Sequence, residues 1–245
     1  MRIKIHLTSL LFLLSSCTLF RHSPKPYAPE MVMIPGGSFT VGDFYEEANT
    51  DALPLHQQTI KPFLIGKYEV TFDQYDDFAN RTGRKLPNDG GFGRDDRAVV
   101  YVNWDDANAF CKSLGYRLPS EIEWEYAARS GGQDYLYSGT NDPDSLSIYA
   151  LINNRDINFS LPVGTFRPNK LGLHDMSGNA FEWVDEFYQF YRSPEDLHDH
   201  KNDAIRIIRG GSFNEERATT RTYWRAGTLR DVEANDIGFR CATSK

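Results

Sequence analysis

Three short segments between residues 71 and 132 each open on a helix-capping residue and close on glycine, and this pattern constrains the fold most. Thr71 and Gln74 have capping-box spacing, and Phe72, Tyr75, Phe78 and Ala79 share one face before Gly83. Asn103 opens a second segment, whose apolar face is Ala107, Phe110, Cys111 and Leu114, and Gly115 stops it. Ser120 and Glu123 open a third, with Trp124, Ala127 and Ala128 facing inward, ended by Gly131 and Gly132. Upstream, MVMIPGGSFTVGD (31–43) reads as a strand, a Pro-Gly-Gly turn and a second strand, and IKPFLIGKYEV (60–70) as another strand. The polar, glycine-rich run 84–97 reads as a loop, and beyond Gly132 the signals are short and irregular. The expectation is an α+β domain with helices crowded into the first half and turns into the second.

The N-terminus reads as a leader rather than as part of this domain. Arg2 and Lys4 form a positive region, residues 7–14 an apolar one, and LSSC (14–17) a lipobox ending in Cys17. The apolar run is too short to span a bilayer as a helix. Cys17 is therefore expected to carry acyl chains, each buried CH₂ contributing about 0.8 kcal/mol to anchoring. Thr18, where an aspartate would retain the protein at the inner membrane, directs the expectation to the outer membrane, facing the periplasm. Residues 18–30 hold three prolines and read as a tether, with the domain running from 31 to 245.

Cleavage of the leader removes Arg2 and Lys4 and takes the formal charge from −7 to −9. The chain shows no cluster of Lys and Arg that would track a phosphate backbone, so nucleic acid is not an expected partner. A hydrophobic fraction of 40% suffices for one core, and 13% aromatics suits a loop-rich fold packed by large rings. With Cys17 assigned to lipid, Cys111 and Cys241 remain as an even pair in an oxidising compartment, and a disulfide between them is expected.

Five strings occur in a fixed order: MVMIPGGSFTVGD (31–43), FLIGKYEVTFDQYDDF (63–78), GYRLPSEIEWEYAARSGG (115–132), GLHDMSGNAFEWVDEFY (172–188), and RGGSF (209–213) with GFRCA (238–242). Together they resemble the formylglycine-generating enzyme family, the sulfatase-modifying factors, over residues 31–242. The resemblance implies a C-type-lectin-related α+β fold with little regular secondary structure. It also implies that the helix before RLP is joined to GFRC, which matches Cys111 and Cys241. A second bridge of some members would fall at Ala128 and Arg225, where both cysteines are absent. Within the third string, Trp124 and Tyr126 supply ring area for a core. Arg117, Glu121, Glu123 and Glu125 read either as buried ion pairs or as a solvated face.

DMSGNAFEW offers a metal loop. Asp175 and Glu182 lie seven residues apart around Gly178, Asn179 and Ala180, and hard oxygen ligands of this kind suit Ca²⁺. The resemblance implies a structural calcium ion held by Asp175, Gly178, Ala180 and Glu182, the middle two through their carbonyls. The alternative is a metal-free loop in which Glu182 caps a backbone turn. The stretch 149–159 does not align clearly with the family's second calcium site, and no ligands are assigned there.

Active family members carry two cysteines after RGGS, which bind copper(I) and activate oxygen. Here the matching residues are Glu215 and Thr220, and no cysteine lies between Cys111 and Cys241. Soft thiolates suit copper(I), and carboxylate and hydroxyl do not replace them. No copper chemistry and no activation of sulfatases is expected. The cleft around Phe181, Ser212, Glu215 and Thr220 is expected to bind a protein or envelope component instead, in a secretion, motility or effector-immunity setting. The competing expectation is a periplasmic tailoring enzyme, since relatives without the cysteine pair act there, for instance in siderophore maturation. Its centre would combine Glu215, Arg217, Arg221 and His174. A hydrogen-bonded structural role for His174 and a solvated face at 215–217 are the plainer readings. His56 is expected in a loop, and His198 and His200, flanking Asp199, on a surface turn.

Overall fold

The computed structural model describes residues 27–45, 50–153, 156–189 and 204–244. The leader with Cys17, and the pair His198 and His200, lie outside them. Among the described residues, three α-helices, three small sheets and short 3-10 turns make up the regular structure.

Strands β1 (Met31–Ile34) and β9 (Ala242–Ser244) both pair antiparallel with β4 (Phe63–Gly66), so the two ends of the domain close on one buried strand. β2 (Gly37–Val41) pairs antiparallel with β3 (His56–Ile60). The strand expected over 60–70 is thus two strands in different sheets. Pro62 lies at the break, where a residue without an N–H cannot continue a ladder. His56, expected in a loop, begins β3, and its Nδ1 is 3.1 Å from the Pro54 carbonyl oxygen.

All three expected helices are present with their expected caps. α1 (Phe72–Thr82) has the full Thr71–Gln74 capping box, buries Phe72, Tyr75, Phe78 and Ala79, and ends on Gly83 at φ 69°. α2 (Trp104–Ser113) starts where Asn103 Oδ1 accepts the Asp106 N–H at 2.9 Å. Cys111 on its inner face is bonded to Cys241, with Cα atoms 5.6 Å apart. α3 (Glu121–Ala128) carries the Ser120–Glu123 box, but it buries Glu121, Glu125 and Tyr126 as well as the expected apolar residues. The rings of Tyr75, Phe78, Phe110 and Phe239 pack edge to face or stacked, with centroids 5.3–6.3 Å apart, between α1, α2 and the C-terminal GFRC.

The second half holds the largest sheet rather than turns alone. Its order is β7 (Arg225–Leu229), β6 (Ile205–Arg209), β5 (Phe181–Phe187), β8 (Ile237–Gly238), antiparallel except for β5–β8. Residues 181–184 of β5 are all buried, and so are Arg206 and Arg209 of β6, which removes the alternation that marks a half-buried strand.

The domain also begins before Met31. The Tyr27 ring meets Phe110 edge-on at 6.1 Å, and Glu30 accepts the Lys67 N–H through its carbonyl and the Lys67 ammonium through its carboxylate, at 2.8 and 3.0 Å. Tyr27 and Glu30, assigned to the tether, therefore contact the domain, and burial of the Tyr27 ring edge is the larger gain.

Candidate functional site

The turn after β6 builds the site. Gly210 and Gly211 both take positive φ, 94° and 73°, and a Cβ on Gly211 would lie 2.6 Å from Thr220 Cγ2. Only glycine lets the chain cross here at such close range. Ser212 follows, fully buried, and its hydroxyl donates to Asp236 Oδ2 at 3.0 Å while accepting the Asn214 N–H at 3.3 Å. The Glu215 N–H donates to the Ser212 carbonyl, and the Glu215 carbonyl accepts the Asn153 N–H. The Phe181 N–H donates to the Asp236 carbonyl, and the Phe181 ring lies 5.8 Å from Trp224. Asp236 therefore ties Phe181 to Ser212, and Ser212 to Glu215.

Burial raises the Glu215 carboxyl above its ordinary value, and the charges of Asp236 and Glu216 add to the effect. Burial likewise raises Asp236, against the lowering by the Ser212 hydrogen bond. Neither carboxylate forms an ion pair with a basic side chain among the described residues. Thr220, expected to line the cleft, does not: it is fully buried beneath the turn, with its hydroxyl donating to the Arg217 carbonyl at 2.9 Å. Its Cγ2 methyl packs inward against Gly211.

Asp236 and Trp224 escaped the sequence reading. Asp236 stands two residues before GFRC, and that adjacency is the one signal that pointed to it.

The arginines of RGGSF and GFRCA are structural. Arg209 bonds Glu121 at 2.7 Å and Glu125 at 2.9 Å, and Arg129 also meets Glu125, at 3.2 Å, all with side chains 5% exposed or less. Arg225 bonds Glu121 through Nε and Nη2, each at 2.7 Å. Burial alone would raise Glu121, but Arg225 and Arg209 hold it below the usual carboxylate range. Glu121 and Glu125 are thus buried ion pairs, while Arg117 and Glu123 form a half-exposed pair at 2.6 Å.

The DMSGNAFEW loop ends in a second buried charge cluster. A Cβ on Gly178, at φ 78°, would lie 2.2 Å from the Leu151 carbonyl oxygen, and Asn179 is also left-handed at φ 62°. Glu182 is fully buried. Both its oxygens accept from Arg240, at 2.6 and 2.7 Å, and Oε2 also accepts from Trp124 at 2.8 Å. It caps no turn. Asp175 accepts the Gly164 N–H at 2.7 Å, and burial pushes its carboxyl up to about 6. Glu69, absent from the sequence reading, accepts from Asn179 Nδ2 at 2.8 Å and the Ala180 N–H at 3.2 Å. Burial, then Asp175 and Glu182, raise it well above its ordinary value. Three carboxylates thus share one guanidinium, Arg240. Among the described residues no three His, Cys, Asp or Glu side chains converge as a complete metal set, so backbone carbonyls would have to complete any cage. Asp175 and Glu182 supply hard oxygens of the kind calcium takes, with both Glu182 oxygens bonded to Arg240 and burial raising Asp175 and Glu69 above their ordinary values.

Of the alternative centre, His174 stands in a different setting from Glu215. The His174 ring packs tilted against Tyr68, centroids 4.8 Å apart, with Nδ1 2.8 Å from the Phe166 carbonyl oxygen, and its own carbonyl accepts from Arg240. Burial lowers its pKa. Among the described residues no contact links it to Glu215, and Glu216 and Arg217 are exposed. No helix of the described residues is long and apolar enough to cross a membrane.

Comparison with known proteins agrees with this geometry. The family model of the sulfatase-modifying factor enzyme 1-like domain matches residues 16–245. The chain is 30% identical to the chaperone protein LppX of Paenibacillus barcinonensis, over 88% of this chain and 90% of that one. It is 27% identical to the formylglycine-generating enzyme of Mus musculus, over 89% of this chain and 76% of that one. The solved structure of PvdO from Pseudomonas aeruginosa superposes with a TM-score of 0.77 at 29% identity, over 89% of this chain and 95% of that chain. With Arg209 of RGGSF bonded to the α3 carboxylates, Arg240 of GFRCA bonded to Glu182, and the family model spanning nearly the whole length, the chain belongs to the family of the sulfatase-modifying factor enzyme 1-like domain.

Proposed function

We propose that this protein is a lipid-anchored envelope protein that uses the family scaffold to bind a protein or envelope component and does not oxidise cysteine. One observation carries the reading: Glu215 and Thr220 occupy the two positions where active relatives carry copper-binding thiolates, and Thr220 is sealed under the turn with its hydroxyl already bonded. A carboxylate and a buried hydroxyl supply neither the soft ligands nor the nucleophile of that chemistry. Ser212 offers no substitute, since its hydroxyl donates to Asp236 and no histidine bonds to it among the described residues. What the site leaves accessible is a half-buried acidic turn at Glu215 with the half-buried Trp224 ring beyond the buried Phe181, a surface suited to recognition.

The name of the relative LppX, a chaperone, supports a binding role, and the lipobox at Cys17 supports anchoring to the outer membrane, facing the periplasm. In this reading Asp175 and Glu182, with the carbonyls of Gly178 and Ala180, hold a structural calcium ion. Its chemistry is charge neutralisation, while Glu69 and Arg240 fix the loop from either side.

Capture from envelope extract tests the reading. The wild-type domain is expected to retain one partner that is lost when Glu216 and Arg217, exposed beside Glu215, are reversed by Glu216→Arg and Arg217→Glu. Equal recovery by both proteins contradicts binding at this turn. In the same cells Cys17→Ala is expected to move the protein from the membrane to the soluble fraction, and full retention on membranes contradicts the anchor.

A further inference from the structure

A separate cavity of about 300 Å³ opens where α1 ends, lined by Tyr75, Arg84, Lys85, Tyr101, Asp106 and Glu233 among others. None of these residues belongs to the RGGSF turn or to the Glu182–Arg240 cluster. Tyr75 is the informative one. It is only 2% exposed, and its ring is fixed in the core against Phe78, Phe110 and Phe239. Its hydroxyl has no hydrogen-bond partner among the described residues, yet the oxygen is not sealed in protein, because it faces this cavity. A buried phenol normally finds a partner. Tyr75 instead lines a cavity of ligand size, at the small end of the usual range.

The walls are charged in both senses. Arg84 and Asp106 satisfy each other at 3.1 Å, and the Arg84 guanidinium lies over the Phe78 ring. Lys85 and Glu233 form no ion pair with a described residue. Burial, then the negative charges of Asp106 and Glu233, raise the Tyr75 phenol above its ordinary value, so the neutral hydroxyl, able both to donate and to accept, is what the cavity presents. Tyr101, at the cavity wall, holds φ 57° with its N–H donating to the Ala234 carbonyl at 2.8 Å. A bulky residue in that conformation is held at a cost of about 1–3 kcal/mol.

We propose that this cavity binds a small zwitterion of amino-acid or dipeptide size. Its ammonium lies toward Glu233, its carboxylate toward Lys85, and the Tyr75 hydroxyl takes a polar atom between them. A singly charged or uncharged solute of the same size leaves one of these groups unmatched.

Titration calorimetry on the whole domain tests this with glycine, alanine, lysine, glutamate and alanyl-alanine as probes, and acetate, methylamine and glucose as controls. At least one zwitterion is expected to bind about tenfold tighter than every control. Tyr75→Phe, which removes only the oxygen, is expected to weaken that binding about tenfold, the effect of one lost hydrogen bond. The same variant is expected to leave the melting temperature of the unliganded protein unchanged, since the hydroxyl has no partner within the chain. The surface variant Lys85→Ala is expected to lose the preference for a carboxylate while folding normally. The proposal is overturned if no zwitterion binds up to about 10 mM, a range covering weak ligands. It is equally overturned if a control binds as well, if Tyr75→Phe binds undiminished, or if that substitution alone destabilises the fold.

Discussion

Arg225 grips Glu121 with two parallel hydrogen bonds, Nε to Oε1 and Nη2 to Oε2, each 2.7 Å long and both side chains nearly sealed from solvent. The pair ties the start of α3 to β7. Some relatives are implied to join these same two segments by a disulfide, whose positions fall here at Ala128 and Arg225. In this chain the two segments are joined by an ion pair in a charge network that also contains Arg209, Glu125 and Arg129.

Removing that arginine should be costly. In Arg225→Ala, Glu121 keeps Arg209 but loses its bidentate partner, and the carbonyls of Asp51 and Gln189 lose their donor. Breaking a buried pair by deleting one partner costs about 3–5 kcal/mol. Urea unfolding should show that loss as a lower midpoint with unchanged slope. A loss below about 1 kcal/mol, the level of a surface pair, contradicts the assignment.

Much of this was legible in the sequence. Thr71, Asn103 and Ser120 announced all three helices because a cap is a local device, complete within four residues. The pairing of Cys111 with Cys241 followed from cysteine count and compartment, and the structure bears it out. The β5–β8 sheet was not legible, because its pattern depends on distant partners. Arg209 looks like a surface residue until Glu121 and Glu125 arrive from α3, 84 residues or more upstream. Glu69 and Asp236 stayed hidden for the same reason: each acts on a loop more than 20 residues away in sequence. Thr220 shows the opposite failure, since motif spacing located the residue but could not tell that Gly211 would let it pack inward.

The disulfide spans 130 residues of sequence and holds α2 to the C-terminal strand. The chain-entropy model gives such a loop about 5 kcal/mol. Cys111→Ser with Cys241→Ser is therefore expected to lower the unfolding free energy by several kcal/mol. Alkylation of the unreduced native protein should leave both cysteines unmodified in its mass spectrum, and two alkylated cysteines contradict the bond.

Glu186 gives the fold a pH dependence of unusual sign. Its carboxylate accepts the Glu121 N–H at the start of α3 at 2.6 Å, yet burial pushes its pKa from 4.5 up to about 8. Between those values the native protein holds a proton that the unfolded chain has released. This contribution is therefore fully present below about pH 4.5, declines as pH rises, and is gone above about 8, at about 1.4 kcal/mol per pKa unit. Glu186→Gln keeps an acceptor for the Glu121 N–H and removes the titration. Its unfolding free energy should fall less steeply than wild type between pH 5 and 8; equal slopes contradict the assignment.

Calcium bound only to the native state stabilises by RT ln(1 + [L]/Kd). Excess chelator is expected to lower the melting temperature, and Asp175→Asn to reduce that response by removing one of the charged ligands. An unchanged melting curve in chelator, with no calcium found by elemental analysis, contradicts the calcium assignment while leaving the buried Glu182–Arg240 pair intact.

With Glu215 and Thr220 in place of thiolates, this protein should lack oxidase activity. The most direct measurement is mass spectrometry of a sulfatase-type cysteine peptide incubated with the purified domain, oxygen, a reductant and copper(I). The peptide is expected to keep its cysteine at the level of a protein-free control, with copper present or absent. Formylglycine above that control would contradict it, and would require an oxygen-activating centre that does not depend on cysteine at positions 215 and 220.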